Sequence, residues 1–312
     1  MTTPHSHVNI FVMAPPPRGS LSFAGGQRLH VGGAERLSAD APVATLDFLD
    51  NDPGDGTDGV PVRIYVTGQI RIESAGRFID EPDFPARQGR VLFAYLLCRR
   101  QRPVTRYELA DVLWPDTRPS AWEASLHALI SKLRVLLKRI KPSSALGVTS
   151  AFGTYVITVE PDVWIDREAA AEAIDRAEGL MHAGRWQDAW GPANIDAITA
   201  RLPFLAGEDG EWIEQERARL RAILLRAVDC LCEIWLRNGE PSLALGAARE
   251  SVVLEPFREQ GYRQLMRVHA ALGDRAEALR VFEGCQALLK RELGTTPSAE
   301  TRKVAEQIRA AS

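Results

Sequence analysis

Read in helical phase, residues 120–141 constrain the fold of this chain more than any other stretch. Leu126, Leu129, Ile130, Leu133, Leu136, Leu137 and Ile140 recur at steps of three and four and stripe one face of a helix. His127, Ser131, Arg134, Lys138 and Lys141 recur at the same steps on the opposite face. Such a helix buries one flank in a core and leaves a small, polar, basic flank that fits a DNA major groove. An amphipathic helix with a merely solvated basic face satisfies the same pattern, so the neighbouring sequence has to decide.

Upstream, residues 87–98 read as a buried helix with basic residues at its start. Pro103-Val104-Thr105 breaks the chain, and Thr105 is placed to N-cap a short helix through Leu113, with Glu108 at the capping-box position. Proline disfavours helical backbone at the residue before it, so Trp114-Pro115 ends that helix. A turn follows, and Ser120 is a candidate cap for the long helix. Helix, break, short helix, turn, long helix is a helix-turn-helix, here with the longer turn of the winged variety. Residues 147–149 and 155–159 read as two strands joined by residues 150–154, with Gly153 supplying the turn. Residues 62–66 and 69–72 alternate apolar and polar side chains, followed by a turn at Gly76-Arg77. Residues 61–160 are therefore expected to form a winged helix with an N-terminal sheet. Charge fits: residues 84–141 carry 12 Lys/Arg against 4 Asp/Glu, a net of +8 in a chain of net −3. Segregated positive charge is the footprint of a phosphate-binding surface.

The flanks of this unit carry less. Residues 1–60 are expected to be weakly ordered: the start is proline-rich, and residues 47–59 form an acidic, glycine-rich linker unable to bury a core. No basic segment followed by a long apolar run opens the chain, and the apolar run 91–98 is too short for a bilayer. A soluble, cytoplasmic protein with no membrane partner is the expectation. His5 and His7 in such a tail are not read as a metal site. Cys98, Cys230, Cys232 and Cys285 contain no Cys-x-x-Cys pair and read as structural thiols, Cys98 on the buried face of its helix. Neither a phosphate-binding Gly-x-x-x-x-Gly-Lys loop nor His-Glu-x-x-His nor Gly-x-Ser-x-Gly occurs. The expectation is a protein without catalysis, metal or cofactor.

From residue 161 the chain turns acidic, with 20 Lys/Arg against 25 Asp/Glu through residue 312. Gly184, Gly239 and Gly273 each follow an apolar helix and are each followed, five residues on, by Ala189, Ala244 and Ala278. The last two units also align at a spacing of 34, pairing Leu231 with Leu265, Leu245 with Leu279 and Leu254 with Leu288, and Pro256 and Pro297 close them. That period is the one of tetratricopeptide-like helix pairs, whose default use is protein binding or self-association. A plain helical bundle serving only as core is the alternative. The fold class expected is mainly α with a small β component: a winged helix-turn-helix followed by a TPR-like helical repeat domain over residues 161–312.

Residues 62–301 resemble the regulators related to the Streptomyces antibiotic regulatory proteins, which join an OmpR-type winged helix to a bacterial transcriptional activator domain. The matching stretches include Ala86-Arg87-Gln88-Gly89-Arg90, Arg102-Pro103-Val104, Glu108-Leu109-Ala110, Leu113-Trp114-Pro115, Ala121-Trp122-Glu123-Ala124-Ser125-Leu126 and Ser131-Lys132-Leu133-Arg134. In the second half they include Gly207-Glu208-Asp209-Gly210-Glu211-Trp212, Leu254-Glu255-Pro256-Phe257-Arg258-Glu259, Gly261-Tyr262-Arg263 and Gly273-Asp274-Arg275-Ala276-Glu277-Ala278. The resemblance implies a sequence-specific activator that binds direct repeats in double-stranded DNA as a homodimer and recruits RNA polymerase. It implies that the turn carrying Trp114, Asp116, Thr117 and Arg118 faces polymerase.

Chemistry then assigns roles along the DNA face. Glu123 is either an acceptor for a cytosine amino group or a first-turn acid complementing the helix dipole. His127 and Arg134 are candidates for base acceptors, with phosphate contact the other reading of Arg134. Ser120, Ser131, Lys132, Lys138 and Arg139 are read as phosphate contacts, and Trp122 as a packing residue. The wing departs from the family: Val156 follows Tyr155 where relatives carry a basic residue, and residues 150–154 hold no cation. Thr149, Ser150 and Thr154 are left to bond phosphates. Two other classes of function stay open: a helical adaptor that has lost DNA binding, and a ligand-gated repressor.

Overall fold

The computed structural model describes residues 62–140 and 146–311, which fall in one compact unit. His5, His7, the proline-rich start, the acidic linker and Lys141 lie outside the described residues.

The chain opens with strands β1 (Arg63–Tyr65), β2 (Arg71–Ser74) and β3 (Arg77–Asp80), an antiparallel meander that buries Ile64, Ile72 and Ile79. The predicted turn at Gly76-Arg77 sits one residue earlier, at Ala75-Gly76, and Arg77 begins β3. This strand escapes sequence reading because only Ile79 of its four residues points inward, while Phe78 is half exposed. Helix α1 (Ala86–Cys98), strand β4 (Val104–Thr105), helix α2 (Arg106–Leu113) and helix α3 (Trp122–Leu137) follow. Thr105 Oγ1 accepts from the Glu108 amide at 3.1 Å, the expected cap, and α2 stops at Trp114 before Pro115. Ser120 is not a cap. Ala121 occupies that position without a side-chain cap, and the Trp122 amide donates to the Pro119 carbonyl at 3.1 Å. The apolar stripe from Leu126 to Ile140 is buried throughout.

Strands β5 (Leu146–Ala151) and β6 (Thr154–Val159) pair antiparallel, and β4 adds to β6 to give the order β4-β6-β5. Both strands run further than their sequence suggests, so Ser150 and Thr154 are strand residues and the loop shrinks to Phe152-Gly153. The chain then returns to the first sheet. Strand β7 (Trp164–Ile165) pairs in parallel with β1, giving the order β3-β2-β1-β7.

The remainder is helical: α4 (Asp166–His182), α5 (Trp186–Arg201), α6 (Glu211–Arg237), α7 (Pro241–Leu254), α8 (Glu259–Ala271), α9 (Arg275–Leu293) and α10 (Ala299–Ala310). These form three helical hairpins and a closing helix. Gly184, Gly239 and Gly273 stand at the three hairpin turns with φ of 74, 76 and 79°, a conformation that costs other residues free energy. Ala189, Ala244 and Ala278 are fully buried, where a small side chain lets the helices of each pair approach. The aligned Leu231 and Leu265 are both in the core. Cys230, Cys232 and Cys285 are buried and Cys98 half-buried. Burial pushes the Cys232 thiol up to about 12, and those of Cys98 and Cys285 to about 11, which favours the protonated thiol at neutral pH. Among the described residues no helix is long and apolar enough to cross a membrane.

One apolar core runs from the sheets and α1–α3 into Ile165, Phe204, Leu205, Ile213 and Leu220 of the helical part. Trp212 packs against this core half-buried, edge-on to Tyr95 at 4.9 Å and to Phe204 at 5.9 Å between ring centroids.

Candidate nucleic-acid interface

Successive α-helical residues are rotated by about 100°, so the exposed positions of α3 define one arc. Its centre is small or apolar: Ala124, Ser131 and Val135, the last 66% exposed. His127 and Ala128 flank that centre and are exposed. One edge carries Glu123 and Arg134, the other Lys132 and Arg139, and Lys138 stands beside Ser131. Small side chains at the centre let a helix backbone approach base edges, and a valine there can only make apolar contact, as with a thymine methyl.

The structure uses Arg134 differently from its sequence reading. Its Nε donates to the Val148 carbonyl at 2.8 Å and one Nη to Ser150 Oγ at 2.9 Å, so the guanidinium ties α3 to β5. It is half-buried and does not project from the face. Glu123 pairs with Arg106 at 3.4 Å. Arg106 also lies over the Tyr107 ring, Tyr107 packs on Trp122 at 5.6 Å, and Arg118 lies over Trp122, so two cations flank a pair of rings at the start of α3. Trp122 is a packing residue, as its position suggests. In the preceding turn Trp114 packs on the core, Asp116 and Thr117 are exposed, and Arg118 is bonded to Asp111.

The candidate phosphate contacts separate into two groups. Ser120, Ser131, Lys132 and Lys138 are exposed, and neither lysine forms an ion pair among the described residues. Arg139 is exposed but pairs with Asp83 at 3.0 Å. In the wing, Thr154 Oγ1 donates to the Ala151 carbonyl at 2.7 Å and Thr149 Oγ1 to the Val156 carbonyl at 3.4 Å. A hydroxyl has one proton to give, so both are engaged inside the hairpin; Ser150 accepts from Arg134 and its hydroxyl donates to nothing among the described residues.

The basic character of the domain is also redistributed. Arg87 and Arg90 of α1 bind Glu208, Arg99 binds Glu216, and Arg100 binds Glu168. Glu208 and Glu216 are each only 2% exposed, and Glu216 is further bound by Arg167 and Arg219. Four of the cations that read as a phosphate footprint thus face carboxylates of the helical part. The loop before α6 is shaped for this: Arg217 donates to the carbonyls of Phe204, Leu205 and Glu208, and the Gly68 amide donates to the Pro203 carbonyl at 2.9 Å. A residue absent from the sequence-based candidates stands at the tip of the wing. Phe152 is fully exposed with φ of 49°, next to Gly153 at 75°.

Residues 165–309 match the family described as the bacterial transcriptional activator domain. Over 220 residues, 70% of this chain, the sequence is 24% identical to the transcriptional regulatory protein EmbR of Mycobacterium bovis and, equally, of Mycobacterium tuberculosis. The chain spans 56% of the length of these relatives. The structure of Mycobacterium tuberculosis EmbR in complex with a low affinity phosphopeptide is similar with a TM-score of 0.69 at 22% identity, covering 80% of this chain and 65% of that one. The two share a fold: a small sheet and winged helix joined to helical repeats.

Proposed function

From a chain of the Streptomyces antibiotic regulatory protein type, with a bacterial transcriptional activator domain at residues 165–309, we propose a transcriptional regulator that binds promoter DNA through α3 and its wing. The observation that carries this reading is the α3 face itself, small at its centre, with Lys132 and Lys138 exposed beside it and outside any ion pair among the described residues. A helix of this shape fits a major groove, and lysines at its margin supply phosphate attraction. His127 is the best-placed polar base reader, since Arg134 and Glu123 are engaged. The exposed turn of Asp116, Thr117 and Arg118 is the surface we assign to RNA polymerase, and the helical hairpins are assigned to dimerisation on direct repeats. The protein acts in the cytoplasm, as an activator, without catalysis, metal or cofactor.

The test is selection of short duplexes from a random pool on the intact protein, followed by fluorescence anisotropy. A regulator prefers the selected duplex to a scrambled one by roughly a thousandfold or more at physiological salt. Equal, weak affinity for both supports an adaptor without DNA specificity and overturns the proposal. Run-off transcription with purified polymerase on the selected site separates activation from repression.

A further inference from the structure

We propose that Phe152 is an apolar wedge, which enters the minor groove beside the site held by α3 and bends the duplex there. This rests on the DNA-binding reading above.

Three observations converge on the residue. First, the ring is completely exposed, at a hairpin tip that carries no charged side chain from Thr149 to Thr154. A tip of that composition gains nothing from phosphate attraction; what it offers a groove is stacking and apolar contact. Second, the backbone is left-handed at Phe152, with φ of 49°. A two-residue hairpin turn with positive φ at both centres favours Asn-Gly, and a bulky residue there is an outlier held by its surroundings. Ala75, Ala86 and Leu205 also have positive φ, but of the four only Phe152 presents a large apolar side chain to solvent. Third, the tip is fixed rather than loose. The Arg106 amide donates to the Gly153 carbonyl at 3.0 Å, Thr105 pairs with Thr154, and Arg134 grips Val148 and Ser150. These contacts tie the tip to both ends of the DNA face: to the start of α2, whose Arg106 pairs with Glu123, and to the last turn of α3. A ring presented by a preorganised hairpin loses little entropy on insertion.

The major and minor grooves lie on either side of one phosphate ridge, so a tip beside a helix seated in the first reaches the second. Apolar side chains that enter there part a base step and kink the duplex by about 20–90°. Flexible pyrimidine–purine steps open at least cost, so the selected duplexes are expected to carry one under the tip.

The experiment uses the intact protein and the selected duplex labelled at both ends, with affinity read by anisotropy and bending by energy transfer. Wild type is expected to shorten the end-to-end distance. Phe152→Ala should lose about five- to a hundredfold in affinity and abolish the bend, while Phe152→Trp keeps both. Phe152→Gly separates strain from function: its melting temperature should equal or exceed that of wild type, yet it should bind and bend as poorly as Phe152→Ala. The proposal is overturned if wild type leaves the duplex straight, or if Phe152→Ala binds and bends like wild type. If wild type selects no duplex at all, DNA binding itself is refuted and the wedge with it; that outcome is distinct from binding without bending.

Discussion

Arg90 donates through one Nη to Glu208 Oε1 at 2.9 Å, joining residues 118 positions apart, and Arg87 binds the other oxygen of the same carboxylate. Glu208 is almost wholly buried, so this carboxylate is a latch between α1 and the loop that leads into α6. Deleting the carboxylate leaves no charge buried, since Arg87 is well exposed and Arg90 keeps Glu81 at 3.0 Å. Glu208→Ala therefore loses charge-assisted hydrogen bonds, at a cost of about 1–3 kcal/mol. The check is the urea midpoint. A midpoint within error of wild type would show the latch to be ornamental.

Arg134→Ala tests whether this side chain reads bases or braces the wing. As a brace, it should lower affinity for every duplex by a similar factor and destabilise the protein by about 1–3 kcal/mol. As a base reader, it should relax preference at one position of the site and leave the rest unchanged. A binding-site profile of the variant decides.

Lys132→Ala and Lys138→Ala should weaken binding to selected and scrambled duplexes alike. Each should reduce the slope of log affinity against log salt by about 1. Arg100→Ala, whose partner is Glu168, should leave that slope unchanged. A salt titration that ranks Arg100 with the lysines would return this cation to the proposed DNA surface.

Glu108 provides the pH dependence. Hydrogen bonds from Arg102, followed by that from the Tyr95 hydroxyl, hold its carboxyl below the ordinary glutamate range despite partial burial. A lowered folded-state pKa contributes stability that is present above the unfolded value, near 4.5, and is lost as pH falls through the folded value. Glu108→Gln is therefore expected to cost about 1 kcal/mol at neutral pH, Arg102 being half exposed, and progressively less in acid. Melting temperatures of both proteins at neutral pH and near pH 3 should converge toward the acid end. A gap that stays constant across that range would remove Glu108 as the titrating group.

The legible parts of this fold are those whose physics is local. The stripe from Leu126 to Ile140, the Thr105 cap and the three glycine turns each declare themselves within a few residues. Arg87, Arg90, Arg99 and Arg100 do not, because each has a carboxylate partner 68 to 121 residues on and a charge tally cannot tell a phosphate from a glutamate. The same limit explains Arg134: the residue type suits a base edge and a strand carbonyl equally, and only the position of β5 chooses between them. Phe152 is hidden for another reason. With the strands judged too short, it sits in an apparent five-residue loop, where a phenylalanine needs no account; in a two-residue turn it does.

The parallel pairing of β7 with β1 is reinforced by Asp166, whose Oδ2 accepts from the Val66 and Thr67 amides and from Thr67 Oγ1. The first repeat helix is thereby planted in the very sheet from which the winged helix begins. In a regulator of the kind proposed, a turn of the helical hairpins would pass through that sheet to α3, with no slack in a tether to absorb it.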